Sequence, residues 1–416
     1  MKEFTGWEYL LIDVANHYGL DGLRYEERLD WANTHLNKLE EMYESCKKKT
    51  LPLFKKTVMT IRKAQQGIAT GHLVGFDAVC SGMQIMSAAT GCYSGAKATG
   101  LIEQDVRSDA YRTVAEFMAH YLGGSLGFLR DDVKKAVMTV LYGSKKEPEK
   151  LFGRDTSELV EFYKSMWEVA PGAMHLLNDL VASWNPDALS HSWRMPDNHY
   201  VYIPVMVTEE KRIEVDELAH STFTYAFKTN EPQDYSVSNA ANVVHSVDAW
   251  LLRSLDRRCN YDPVRFLAVK SLMQDEMLRR TFANVEVASV QSEVEDDFST
   301  MLTRYEESGI ADLAFISLID EESVKYLPDA LLEAMYCMVM QSLEHKPFPI
   351  LSVHDEFKCH PNNMNHLRKH YNQIMVQINQ GRIMEDILTQ LNGVPTTIQR
   401  DMDLTQYIEV ANYPIN

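Results

Sequence analysis

Leu73-Val74-Gly75-Phe76-Asp77-Ala78-Val79-Cys80-Ser81-Gly82-Met83-Gln84 is the stretch from which the rest of the chain is best read. Its first four residues form a short apolar run, the signature of a buried strand. The run ends at Asp77, so a carboxylate stands at the strand's tip. Ser81-Gly82 then turns the chain into a helical pattern that continues to Ala89. An aspartate at a strand end is more often a turn former or a helix cap than a reacting group, so this segment alone selects no function.

A second acid is presented in a similar way. Phe348-Pro349-Ile350-Leu351-Ser352-Val353 reads as a strand and runs directly into His354-Asp355-Glu356. Pro349 argues against a helix, because proline breaks helix interiors. A hairpin tip here aims Asp355 outward. Metal-dependent phosphohydrolases also use a His-Asp pair, but carry it on a helix; that alternative predicts a helix over 348–358.

Between the two acids lies Arg130-x-x-x-Lys134, followed by Tyr142-Gly143. At about 100° per residue the arginine, lysine and tyrosine share one broad helix face. Two cations one turn apart repel, so helix stability does not account for them. An anion such as a triphosphate does, through charge-assisted hydrogen bonds. Tyr142 offers a flat ring and a hydroxyl for a base or sugar, and Gly143 permits close approach. A surface helix with incidental cations is the competing reading.

Working outward, residues 26–49 read as one helix, with Leu29, Ala32, Leu36, Leu39 and Tyr43 at helical spacing and Pro52 as a break near its end. Residues 54–66 read as a second, basic helix, and 103–185 as mostly helical, interrupted at Gly123-Gly124-Ser125-Leu126-Gly127. Residues 199–206 and 222–228 alternate and read as the paired strands of a hairpin, preceded by the turn signal Pro196-Asp197-Asn198. Residues 239–257 and 363–392 are again helical. The fold class is therefore α+β and helix-rich.

Composition sets bounds. Of 416 residues, 45% are apolar and 24% charged, as in ordinary globular enzymes. No run of about 18 apolar residues predicts a membrane span. The opening Met1-Lys2-Glu3-Phe4-Thr5-Gly6-Trp7-Glu8 lacks the build of a signal peptide, so a cytoplasmic location is expected. Six cysteines without a Cys-x-x-Cys spacing read as reduced thiols. The net charge of −18 opposes contact with phosphate backbones. Local clusters such as Lys47-Lys48-Lys49, Arg257-Arg258 and Arg279-Arg280 soften this, since phosphate contact is local. A second chain could supply the remaining positive surface.

The order of acid-tipped strand, Arg-Lys-Tyr-Gly segment and His-Asp hairpin resembles motifs A, B and C of right-hand nucleic-acid polymerases. The chain is most similar to the single-subunit RNA polymerases of phages and mitochondria. Three segments carry the resemblance: Phe76-Asp77 with Cys80-Ser81-Gly82, Gln84 and Ser87; Arg130 through Val137-Met138-Thr139 to Tyr142-Gly143-Ser144; and Val244-His245-Ser246-x-Asp248. It implies a palm, residues 1–105 and 245–416, with an inserted fingers domain at 106–244 that carries a hairpin at about 200–228 in the place of the promoter-reading loop. It further implies that Asp77 and Asp355 bind two magnesium ions. Arg130 and Lys134 would hold the incoming triphosphate, and Tyr142, next to Gly143, would read the ribose 2′-hydroxyl together with His245. The steric glutamate that related DNA polymerases carry shortly after the motif A aspartate is absent between Asp77 and Ser87. The implied partners are a DNA template, nascent RNA and NTPs, in an infected bacterial cell.

The chain also departs from that family. The N-terminal domain, the thumb and an Asp/Thr-x-x-Gly-Arg motif are not found ahead of Asp77. Gly153-Arg154 and Gly381-Arg382 lie downstream and lack the acid or threonine. A split enzyme is the expectation: the larger chain of a heterodimeric phage RNA polymerase, with a smaller partner supplying the missing parts. Glu356, directly after the motif C aspartate, keeps a DNA polymerase or primase open as an alternative. A non-catalytic scaffold subunit is a further one.

Overall fold

A computed structural model describes residues 1–103, 105–124, 130–283, 287 and 296–416. Ser125, Leu126 and Gly127 of the glycine-rich stretch lie outside the described residues. The chain begins with α1 (Gly6–Ala15), whose first turn is closed by a capping box between Thr5 and Glu8. Next come α2 (Tyr25–His35) and α3 (Leu51–Gln65). The single helix expected over 26–49 stops at His35 and gives way to a short 3₁₀ stretch, Leu36–Tyr43, in which Lys38 has left helical geometry. Asn33, Thr34, His35 and Asn37 are weak helix formers, and their cluster explains the break. Pro52 does not end a helix but opens α3, where its missing N–H costs nothing.

The acid-tipped strand is β1 (Val74–Asp77), followed by α4 (Ser81–Thr90), α5 (Tyr93–Ala98), α6 (Ala110–Tyr121), α7 (Arg130–Val140), α8 (Lys146–Phe152), α9 (Ser157–Val169) and α10 (Pro171–Ala182). Then come β2 (Ser190–Arg194), β3 (Tyr200–Pro204), β4 (Met206–Val215) and β5 (Ser221–Pro232). The expected pairing of 199–206 with 222–228 is corrected here. β3 pairs with β2, and β5 pairs with β4. Pro196-Asp197-Asn198 folds β2 back onto β3, so the first hairpin is already complete before β4 begins. β4 is exposed along most of its length and rich in charge, so it lacks the alternation that marks a half-buried strand.

The remaining elements are α11 (Ser238–Cys259), α12 (Pro263–Ala283), α13 (Asp296–Ser308), α14 (Asp329–Ser342), β6 (Leu351–Val353), β7 (Glu356–Cys359), α15 (Met364–Gln380), α16 (Ile383–Asn392) and α17 (Thr405–Ile408). The strand expected from Phe348 shrinks to Leu351–Val353; the segment before it includes Pro349, which has no N–H to donate. No helix occupies 348–358, which removes the phosphohydrolase alternative.

β1, β7 and β6 form one antiparallel sheet in that order. Its buried side chains anchor the main core. Phe76 stacks on Tyr25 at 5.7 Å and meets Tyr9 edge-on. Under this aromatic group the buried Arg368 binds the Tyr9 hydroxyl at 2.8 Å and the carbonyls of Lys2 and Asn412, both at 2.9 Å. The other edge of β1 is closed by the chain's last residues. Asn416 exchanges backbone hydrogen bonds with Asp77 at 3.0 and 3.3 Å, and Tyr413 stacks on Tyr25 at 4.7 Å.

A second, separate core gathers residues between Tyr261 and Val339, among them Phe266, Met273, Leu313, Leu331 and Met335. It is tied to α11 by Asp312, which accepts from Trp250 at 2.8 Å and from Arg257 at 3.0 Å. Arg253 and Arg257 also grip Asp197 of the β2–β3 turn, at 2.7 and 2.8 Å. Among the described residues no helix is long and apolar enough to cross a membrane.

Candidate active site

β6 and β7 are joined by the two residues His354 and Asp355 alone, so the turn must be tight. His354 takes it with a left-handed φ of 56°, a conformation that costs a non-glycine residue on the order of 1 kcal/mol. The antiparallel register sets Asp77 opposite Glu356. A hydrogen bond of 3.2 Å from the Ala78 amide to the Asp355 carbonyl then fastens the turn to the end of β1. Two acids far apart in sequence thereby become neighbours. Burial, the Asp355 charge and the Glu356 charge push Asp77 up to about 7, while Lys134 on α7 pulls the other way.

Glu356 itself points along the strand. Its carboxylate meets the Lys358 ammonium at 2.8 Å and lies over the Cα of Gly75. A Cβ at position 75 would displace this carboxylate, the flexible end of its side chain.

Asp355 opens on a cavity of about 670 Å³ whose walls also include Cys80, Tyr111, Tyr142, His245 and Asp248. α7 ends before Tyr142, so this tyrosine does not share a helix face with Arg130 and Lys134 as the spacing suggested. The cause is Gly143: at φ 81° it closes the helix, with the Ser144 amide reaching back to the Thr139 carbonyl at 3.0 Å. A Cβ at position 143 would stand 2.8 Å from that of Val237, so its close approach is to protein. The freed Tyr142 ring packs against His245 of α11, centroids 4.7 Å apart. Burial raises the Tyr142 hydroxyl to about 12 and lowers His245, so both are neutral at physiological pH.

Arg130 and Lys134 do come together, over the ring of Tyr111, at 5.4 and 5.2 Å. Arg130, however, is engaged with Asp109 and Asp131 and borders a neighbouring cavity of about 900 Å³. Asp355, Tyr142 and His245 thus line one space; Asp77 adjoins Asp355 and feels the Lys134 charge, while Arg130 borders the neighbouring cavity and Gly143 packs against Val237.

Three wall residues had no role assigned from sequence. Tyr111 reaches the site from α6 and lines it together with Cys80, which itself stands in a left-handed conformation at φ 60° before α4. Neither residue carries a local signal. Asp248 lies within the quoted Val244–Asp248 segment, and its spacing from His245 was the available clue.

Divalent cations suit the strand-end pair: two adjoining carboxylates, one of them raised by the other, lack a cation between them, and oxygen ligands are what magnesium prefers. A separate trio, Glu214, Asp216 and His220, brings its ligand atoms together at the exposed tip of the β4–β5 ribbon. There His220 Nδ1 already binds both carboxylates, at 2.8 and 3.2 Å.

None of the curated proteins matches this chain. Residues 2–149, a segment that includes β1, α6, α7 and the Tyr142-Gly143 turn, match the model of the family described as DNA-dependent RNA polymerase. Enzymes of that family are nucleotidyltransferases and generally use magnesium. Over residues 2–149, about a third of its length, the chain is similar to the DNA-dependent RNA polymerase family.

Proposed function

We propose that this chain is the catalytic subunit of a split phage RNA polymerase, and that it extends RNA on a DNA template by two-metal nucleotidyl transfer. The observation that carries the reading is the adjacency of Asp77, at the end of β1, and Asp355, in the β6–β7 turn, with Asp77 raised by burial and by its acidic neighbours. Asp77 and Asp355 would hold two magnesium ions, which when bound supply a more acidic 3′-hydroxyl and charge compensation for pyrophosphate. Lys134, already within reach of Asp77's field, holds the triphosphate, and Arg130 joins it by exchanging Asp109 for phosphate. Tyr142 and His245, neutral and side by side, take the ribose 2′-hydroxyl. A site built for a hydroxyl rejects the deoxy sugar because its polar groups are then left unpaired.

In this reading residues 1–105 and 245–416 make the palm and 106–244 the fingers, with the core between Tyr261 and Val339 as an added lobe of the palm. The β4–β5 ribbon takes the part of the promoter-reading loop. A smaller second chain contributes the N-terminal part, the thumb and the Gly-Arg motif, and its positive surface faces this acidic one. The test is incorporation of labelled NTPs on a primed DNA template by the complex purified from its native source. Asp355→Asn is expected to abolish incorporation; full activity in that variant, or a preference for dNTPs in the parent, would end the reading.

A further inference from the structure

His245 and Asp248 lie three residues apart on α11, so they present to the cavity as neighbours on one face. Tyr142 stands opposite His245 and within the field of the Asp248 carboxylate. Asp248 is deeply set, yet among the described residues no group donates a hydrogen bond to it. The single charged side chain acting on it is Asp355, of like sign. Lys134, which offsets Asp77, does not act on it. Its carboxylate opens on the cavity, where water can serve it, so a ligand that displaces that water must bring a donor in its place.

Two classes of donor could fill the gap. A metal ion held by Asp355 is one, and the magnesium midpoint in the test below separates it. The donors of a nucleotide are base amines and ribose hydroxyls. Base amines differ among the four nucleotides, so an enzyme that accepts all four needs the hydroxyl. We infer that Asp248 is a specificity residue that accepts a hydrogen bond from a ribose hydroxyl of the bound nucleotide, on the same wall as Tyr142 and His245. This inference rests on the polymerase reading.

The test compares Asp248→Ala with Asp248→Asn, which keeps a carbonyl acceptor of the same shape. For each variant, equilibrium dialysis gives the affinity for ATP, 2′-deoxyATP and 3′-deoxyATP with Ca²⁺ present, and incorporation assays give the corresponding kcat/KM ratios. Asp248→Ala is expected to narrow the gap between ATP and one of the two deoxy analogues by about tenfold, the scale of one hydrogen bond, and the analogue affected names the hydroxyl. Asp248→Asn should retain most of the gap. Unchanged ratios in a variant that still binds ATP overturn the assignment and leave the polymerase reading standing. A shifted magnesium midpoint with intact ratios makes Asp248 a metal ligand and also overturns it. Failure of the unmodified complex to bind any nucleotide overturns both.

Discussion

The Glu356 carboxylate lies over the Cα of Gly75, two residues before Asp77 on the paired strand. Its position is held by Lys358, so the β7 side chain opposite Asp77 is already engaged. Gly75→Ala should force Glu356 off this seat. The expected cost is about 1–2 kcal/mol in denaturant unfolding, from overpacking, accompanied by loss of nucleotide incorporation. Adding Glu356→Ala should restore much of the stability; a neutral Gly75→Ala would show that the strand accommodates the methyl group.

Asp77 makes stability depend on pH in a defined direction. Its carboxyl is raised to about 7 in the folded chain from an ordinary value near 4 in the unfolded one. Between those values the native state binds more protons than the unfolded state, so stability falls as pH rises through that window. Without divalent cations, thermal unfolding should shift downward from pH 5 to pH 8, and Asp77→Asn should remove part of the slope. The change is expected at about 1 kcal/mol, because solvent at the cavity mouth screens the pair. Magnesium should raise the melting temperature more at pH 8 than at pH 5.

Tyr142→Phe removes the hydroxyl while keeping the ring against His245. Discrimination of NTPs over dNTPs should fall by roughly 1–2 kcal/mol, measured as the ratio of kcat/KM values. An unaltered ratio would take Tyr142 out of sugar reading.

The β4–β5 ribbon can be shortened as a unit, because its two strands pair with each other from Met206 to Pro232. Replacing 208–230 with a short turn should leave extension of a primed template largely intact and alter the choice of start site. Removing 207–218 alone would strip β5 of its partner and is expected to cause aggregation, since Phe223, Tyr225 and Phe227 are already exposed. Equal loss of primed and promoter-dependent synthesis in the paired deletion would remove the ribbon from promoter reading.

Much of the site was legible in the chain because its signals are local. An apolar run ending in Asp77, a proline-marked strand before His354-Asp355, and cations spaced along α7 can each be read within a dozen residues. Tyr111 could not be read that way, because α6 brings it to Cys80 only through tertiary packing. Tyr142 leaves the face of Arg130 and Lys134 because Gly143 ends the helix against Val237, a packing contact that no local pattern announces. The hairpin pairing was misassigned because β4 is solvated on both faces and carries no period-two signal. The second core escaped notice because its apolar residues recur at the same helical spacing as their surroundings, with no shift in composition to mark a boundary.

The tight turn at His354-Asp355 also has a bearing on how the protein matures. β1 emerges from the ribosome early, whereas β7 follows only after well over half of the chain, including the lobe around Phe266 and Leu331, has been made. Closing so long a loop is entropically slow, so Asp77 waits without its partner strand through most of synthesis. In nascent or prematurely terminated chains Asp77 therefore lacks Asp355 beside it until the strand bearing Glu356 docks.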